Sequence, residues 1–249
     1  VMNAFAPSRN TGFMLQNAPL EQRMTWAFGA FRSTDDATGS GFSDDGTYNL
    51  TGRVTGLPWY EEDGRHLLHL GVSVTQKFLD DTSIRFRQRP EVKLGNPYFV
   101  DTHSIAADGA QVVNPELAFV YGPFSFQAEY AHSFVQATET SDPDSYGLYA
   151  QASWFLTGES RPYKTSEGAF DRVVPEHNFD LKGGPGAWEL ALRYSRLDLD
   201  DADIDGGLLN DGTIGLSWYL NPNVRTSFNY VAANLDGVGW TNQFVTRFQ

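Results

Sequence analysis

HLLHLGVSVTQKF, residues 66–78, alternates along its whole length. Leu68, Leu70, Val72 and Val74 fall on one phase, and His69, Gly71, Ser73, Thr75 and Lys77 on the other. Successive side chains of a β-strand point to opposite faces, so this period of two builds one apolar and one polar face. A helix would need apolar spacings of three and four residues, and these are not sustained anywhere in the chain. The alternation recurs in RMTWAFGAFR (23–32), where Met24, Trp26, Phe28 and Ala30 oppose Arg23, Thr25, Ala27 and Gly29. It recurs in YNLTGRVTG (48–56), FSFQAEYA (124–131), AWELALRYS (187–195), TIGLSWYL (213–220) and VRTSFNYVA (224–232). About twelve such segments are predicted, each read as a strand because turn residues bound the alternation.

The connections are of two kinds. GP at 122–123 and NPN at 221–223 are tight, whereas 33–46, 137–145 and 198–207 read as long acidic loops. Short turns alternating with long polar loops, on strands near the ~9–11 residues of a tilted membrane span, fit an up-and-down membrane barrel. A soluble β-sandwich is the competing architecture. It suits less well the small and charged residues of the polar faces, which fit a wet lumen. Trp26, Trp154, Trp188, Trp218 and Trp240 all lie on the apolar phase, several near a segment end, as an interfacial girdle requires.

Composition bounds the function. The 249 residues are 41% hydrophobic and 14% aromatic, carry a net charge of −13 and contain no cysteine. The mean hydropathy of −0.38 is that of a soluble chain. A membrane barrel keeps its average low, however, because half of each strand faces a polar lumen. The acidity argues against nucleic acid as a partner. The absence of cysteine rules out disulfides and thiolate metal sites. No signal peptide is visible, and VMNAFAPSRNTGF is unlike a natural start, so a processed or incomplete chain is expected.

Against this acidity, SIRFRQRPE (83–91) sets Arg85, Arg87 and Arg89 at alternate positions. On a strand they would share one inward face, opposite Gln88 and the outward Ile84 and Phe86, and their mutual repulsion calls for water, acidic partners or an anionic ligand. Arg23, Arg53, Lys77, Arg193, Arg225 and Arg247 also fall on the polar phase, as do Glu129 and Glu189. The expectation is a lumen rich in guanidinium, whose planar donors suit phosphate and carboxylate oxygens. Rings of Arg and Lys give anion pores their selectivity. Pairing of these cations with lumen or loop carboxylates is the plainer alternative.

Several stretches together resemble the phosphate- and pyrophosphate-selective outer-membrane porins (the porin O and P family). They are YNLTGRVTGLPWYEEDGRHLLHLG, RFRQRPE, GPFSFQAEY, YGLYAQASWFLTGESRPY, GAFDRVVP, GAWELALRYSRLDL and LSWYLNPNVRTSFNYV. The resemblance runs from about Arg9 to the C-terminus. It implies an antiparallel transmembrane β-barrel of 16 strands, a homotrimer, and an arginine ladder to which Arg85, Arg87 and Arg89 correspond. It also implies the bacterial outer membrane as location, with its lipid and lipopolysaccharide as surroundings. Phosphate-like small anions are the expected cargo, with no cofactor, no metal and no catalytic step. A typical member is longer at its beginning. Residues 1–249 are therefore expected to form one barrel domain whose N-terminal strands are missing. A porin-like barrel serving as scaffold in an envelope assembly is the alternative function.

Other signals are weaker. DADIDGG (201–207) opens like a calcium loop but has Gly212 where the closing Glu belongs. His66 and His69, three apart, should point to opposite faces of a strand. His103, His132 and His177 share no metal spacing with them. No Ser/His/Asp grouping supports hydrolysis, and the glycines of RVTGLP and LKGGPGAW read as turns.

Overall fold

The computed structural model describes residues 1–6, 10–32, 47–92, 97–201 and 203–249. The predicted loop 33–46 lies outside them. Fifteen strands are described: β1 (Thr11–Asn17), β2 (Met24–Arg32), β3 (Tyr48–Glu61), β4 (His66–Ile84), β5 (Arg87–Gln88), β6 (Val100–Asp101), β7 (Ile105–Tyr121), β8 (Phe124–Ala137), β9 (Asp144–Phe155), β10 (Tyr163–Lys164), β11 (Ala169–Phe170), β12 (Ala187–Asp201), β13 (Ile204–Asn221), β14 (Val224–Leu235) and β15 (Gly239–Phe248). Eleven of them form one sheet in the order β1-β2-β3-β4-β7-β8-β9-β12-β13-β14-β15. Each neighbours the previous one in antiparallel register, for example Leu192↔Ile214 and Leu70↔Leu117. Among the described residues β1 and β15 are free edges, and the sheet does not close.

The alternation sorts the two faces as the sequence predicts. Leu70, Val72, Val74, Leu192, Ile214, Phe228 and Phe244 are exposed on the outer face, while Thr75, Ser125, Ser133, Ser153, Ser195 and Asp211 are buried on the inner one. Hydroxyls on neighbouring strands bond across the inner face, Thr25 to Thr55 at 2.6 Å and Ser125 to Ser153 at 2.8 Å. An outer face this apolar would cost about 25 cal/mol per Å² in water, and it is at home in lipid. Aromatic stacks mark both margins of that face. Trp188 lies 5.0 Å from Trp218 and His66 4.6 Å from Tyr121 near the turn end. Tyr48 lies 4.7 Å from Phe78 at the other end.

The tight turns follow from local chemistry. Gly122 adopts φ 55° between β7 and β8, where its lack of a Cβ makes the left-handed conformation cheap. At the next tight turn Asn221 Oδ1 accepts the N–H of Asn223 at 2.9 Å. One expected long loop is instead a hairpin. Of residues 198–207, all up to Asp201 belong to β12 and those from Ile204 to β13, with Asp200 opposite Asp205. The strands continue because their ladder bonds do not depend on side-chain charge, and the exposed aspartates stay solvated.

Two connections fold back over the inner face. Residues 85–92 and 97–104 enter from the long-loop end, and residues 156–186 enter from the turn end. The first joins the 3₁₀ turn Met2–Ala4 in an apolar cluster in which Phe5 and Phe86, each 1% exposed, lie with their rings 5.2 Å apart. That cluster rests on inner-face residues such as Ala110, Val135, Leu197 and Leu209.

Candidate functional site: the cationic inner face

The arginine-bearing segment keeps its alternation but not its expected place. β4 ends at Ile84, and of residues 85–92 only Arg87 and Gln88 are strand, paired with Asp101 and Val100 in a two-stranded hairpin outside the large sheet. Ile84, Phe86 and Gln88 are buried, while Arg85 and Arg87 are exposed. The apolar side was expected toward lipid, and the structure turns it onto the inner face instead. Burying Phe86 against Phe5 removes the ring from water without requiring a membrane-facing position. Arg85 donates through Nε to Asp101 Oδ1 at 2.6 Å and through Nη2 to Oδ2. That pairing holds the Asp101 carboxyl below its usual range. Arg87 and Arg89 stack on Tyr98, 4.2 and 3.9 Å from the ring centre.

The wall cations are more dispersed. Arg53 on β3 binds Glu116 Oε1 at 2.8 Å and donates to the carbonyls of Glu167 and Gly168 at 3.2 and 2.7 Å. Glu116 reaches this position because Gly71, its register partner on β4, has no side chain; a Cβ there would stand 2.3 Å from Glu116 Oε1. His69 completes the group, with Nδ1 2.5 Å from the Tyr163 hydroxyl and Nε2 3.5 Å from Glu116. Burial pushes the Tyr163 hydroxyl's pKa up. His69 is buried on the inner face and His66 stacks on Trp59 outside, which is the opposition their spacing predicts.

Arg193 on β12 and Arg225 on β14 line a cavity of about 310 Å³ together with Arg161, Glu91, Glu189 and Tyr219. Arg193 stacks 3.8 Å from the Tyr149 ring centre and donates to Glu91 at 3.0 Å and to Gln151 at 3.3 Å. Arg225 Nη1 donates to the Tyr219 hydroxyl at 3.3 Å, and that hydroxyl donates to Glu189 at 2.7 Å. Arg161 Nη1 binds the same Glu189 carboxylate at 2.8 Å, while its Nε is buried and without a hydrogen-bond partner among the described residues. The other predicted cations lie apart. Lys77 stands 5.8 Å from the Phe86 ring centre. Arg23 is in the β1–β2 turn, donating to the Tyr60 carbonyl at 3.1 Å, and Arg247 is exposed on the edge strand β15.

Arg161 was missed by phase because it lies between strands, in FLTGESRPY, where no alternation assigns it a face. Trp59 was missed for a related reason. Between Gly56↔Leu70 and Trp59↔Leu68, β3 carries one extra residue, and this bulge flips the phase. Pro58 inside the run is the available signal, since proline within a sheet favours bulges and edges.

An open antiparallel sheet with a lipid-fitting outer face, aromatic margins and a cation-lined inner face defines a wall of the porin type. The family model described as phosphate-selective porin O and P matches residues 1–247, and the chain belongs to this family and to the bacterial outer membrane. It is 32% identical over 219 residues to Porin O of Pseudomonas aeruginosa, covering 74% of this chain and 49% of that protein. It is also 32% identical over 200 residues to an uncharacterized protein of Caulobacter vibrioides, covering 79% of this chain and 39% of that one. The chain therefore spans half or less of the length of these curated relatives.

Proposed function

We propose that the protein is a channel for small anions, with phosphate-type oxyanions favoured, and that it carries out no chemical step. The observation that carries this reading is the cavity in which Arg161, Arg193 and Arg225 outnumber Glu91 and Glu189. Charge-assisted bonds from such groups replace part of an anion's hydration without enclosing it. Arg85, Arg87 and Arg89, at the long-loop end, would attract anions before they reach the cavity, and Arg53, Lys77, Arg23 and Arg247 would extend the field along the wall. The free edges of β1 and β15 would be unsatisfied in hydrocarbon. Residues 1–249 are accordingly read as part of one barrel domain that further strands complete. The barrel would stand in lipid and lipopolysaccharide as a homotrimer, the closed symmetric assembly that the family resemblance implies.

The scaffold alternative draws on a different observation, the apolar cluster of Phe5, Phe86 and Val100 that fills the inner face near the long loops. Planar-bilayer recording of the full-length protein separates the two. The channel reading expects an open, anion-selective pore that millimolar phosphate partly blocks, and a weaker block after Arg87→Glu. A silent protein would favour the scaffold. An unchanged block would remove Arg87 from the path.

A further inference from the structure

Glu91 places a carboxylate where a passing anion would bind. Its Oε1 accepts from Arg193 Nε at 3.0 Å and from Ser195 Oγ at 2.9 Å, both on the inner face of β12. A guanidinium and a hydroxyl converging on one oxygen make an oxyanion subsite. Ser195 is 1% exposed, whereas the side chains of Arg193 and Glu91 are 22% and 20% exposed, and both line the 310 Å³ cavity. Arg193 has holds besides Glu91, the Tyr149 ring at 3.8 Å and Gln151 at 3.3 Å. Glu91 reaches it from a segment outside the large sheet, whose backbone at that residue is tied to Asp211 Oδ2 by one N–H bond of 3.2 Å.

We propose that Glu91 is a tethered competitor. Its carboxylate fills the Arg193–Ser195 subsite in the empty channel, and a permeating oxyanion takes the subsite by displacing it. The inference rests on the anion-channel reading above. A group tethered by a short segment acts at an effective concentration of roughly millimolar order, so it competes with millimolar substrate without excluding it. The apparent affinity for the free anion falls in proportion to the fraction of time the subsite is vacant. Such competition keeps the anion from being trapped, which a conducting site requires.

The test is block of chloride current by inorganic phosphate, with the full-length protein in planar bilayers. Glu91→Ala removes the competitor. Glu91→Gln keeps the length and an acceptor oxygen for Arg193 and Ser195 but removes the charge. If the subsite is vacant about a tenth of the time, the half-blocking phosphate concentration falls about tenfold in Glu91→Ala and less in Glu91→Gln. Adding Arg193→Gln to the Glu91→Ala protein should abolish that gain. A half-blocking concentration that stays at the wild-type value or rises in both variants would overturn the proposal and leave Glu91 as a brace, with the channel reading intact. A wild-type protein that conducts no anions would overturn both.

Discussion

The two segments that cross the inner face are held there by different balances of apolar and polar contact. Residues 85–92 and 97–104 are fixed chiefly by apolar burial, with Phe86 and Val100 each 1% exposed within the cluster around Phe5, and Glu91 adds polar ties to Arg193, Ser195 and Asp211. Residues 156–186 are fixed chiefly by polar ties to the wall. Arg53 binds the Gly168 carbonyl at 2.7 Å, His69 the Tyr163 hydroxyl at 2.5 Å, Glu189 takes Arg161 at 2.8 Å, and Thr165 reaches Gln22 at 2.6 Å. A small apolar contact of Val173 with Phe155, Ala187 and Tyr219 supplements them. The difference bears on function. Apolar packing excludes water, whereas polar seating keeps hydrogen-bond donors beside the cavity that the proposed function assigns to anions.

Phe86→Ala should produce the largest change on the first side of this comparison. Truncating a fully buried phenylalanine costs about 3–5 kcal/mol. Residues 85–92 and 97–101 should become sensitive to limited proteolysis while residues 156–186 stay protected. Equal loosening of both segments would break the distinction between them.

On the second side, Gly168→Ala should have a smaller effect. Gly168 has φ +60°, and a Cβ there would stand 2.7 Å from Thr55 Oγ1 and 2.9 Å from Thr25 Oγ1. The strain is about 1–3 kcal/mol, confined to the tip of the segment. Hydrogen exchange should rise across residues 165–170 and not across 85–92 or 97–101. Unaltered protection at the tip would mean that the ties from Arg53 and His69 suffice without close contact.

The same contrast explains what was legible in the sequence. Strand phase is a local property, so the outward set of Leu70, Leu192 and Phe228 and the inward set of Arg53, Arg193 and Ser195 could be read from alternation. The fate of Ile84 and Phe86 could not, because an alternating apolar face meets lipid or a folded-in neighbour equally well. Only the approach of Phe5 decides between them. Arg161 depends on where a connection outside the large sheet lands, which is a tertiary matter. The bulge before Trp59 shifts phase by a single residue, and only Pro58 hints at it. The acidic run 198–207 misled because charge was taken to mean loop, whereas exposed aspartates extend a hairpin as well as they form a loop.

In the proposed function, guanidinium groups around the 310 Å³ cavity give the interior its preference for anions. The most direct test is the zero-current potential of the full-length protein across a potassium chloride gradient, before and after Arg161→Gln. This change lowers the charged lining from three arginines against two glutamates to two against two. The account predicts an anion-selective potential for the wild type that moves toward zero in the variant. A wild-type potential of cation-selective sign, or one that Arg161→Gln leaves unmoved, would contradict it.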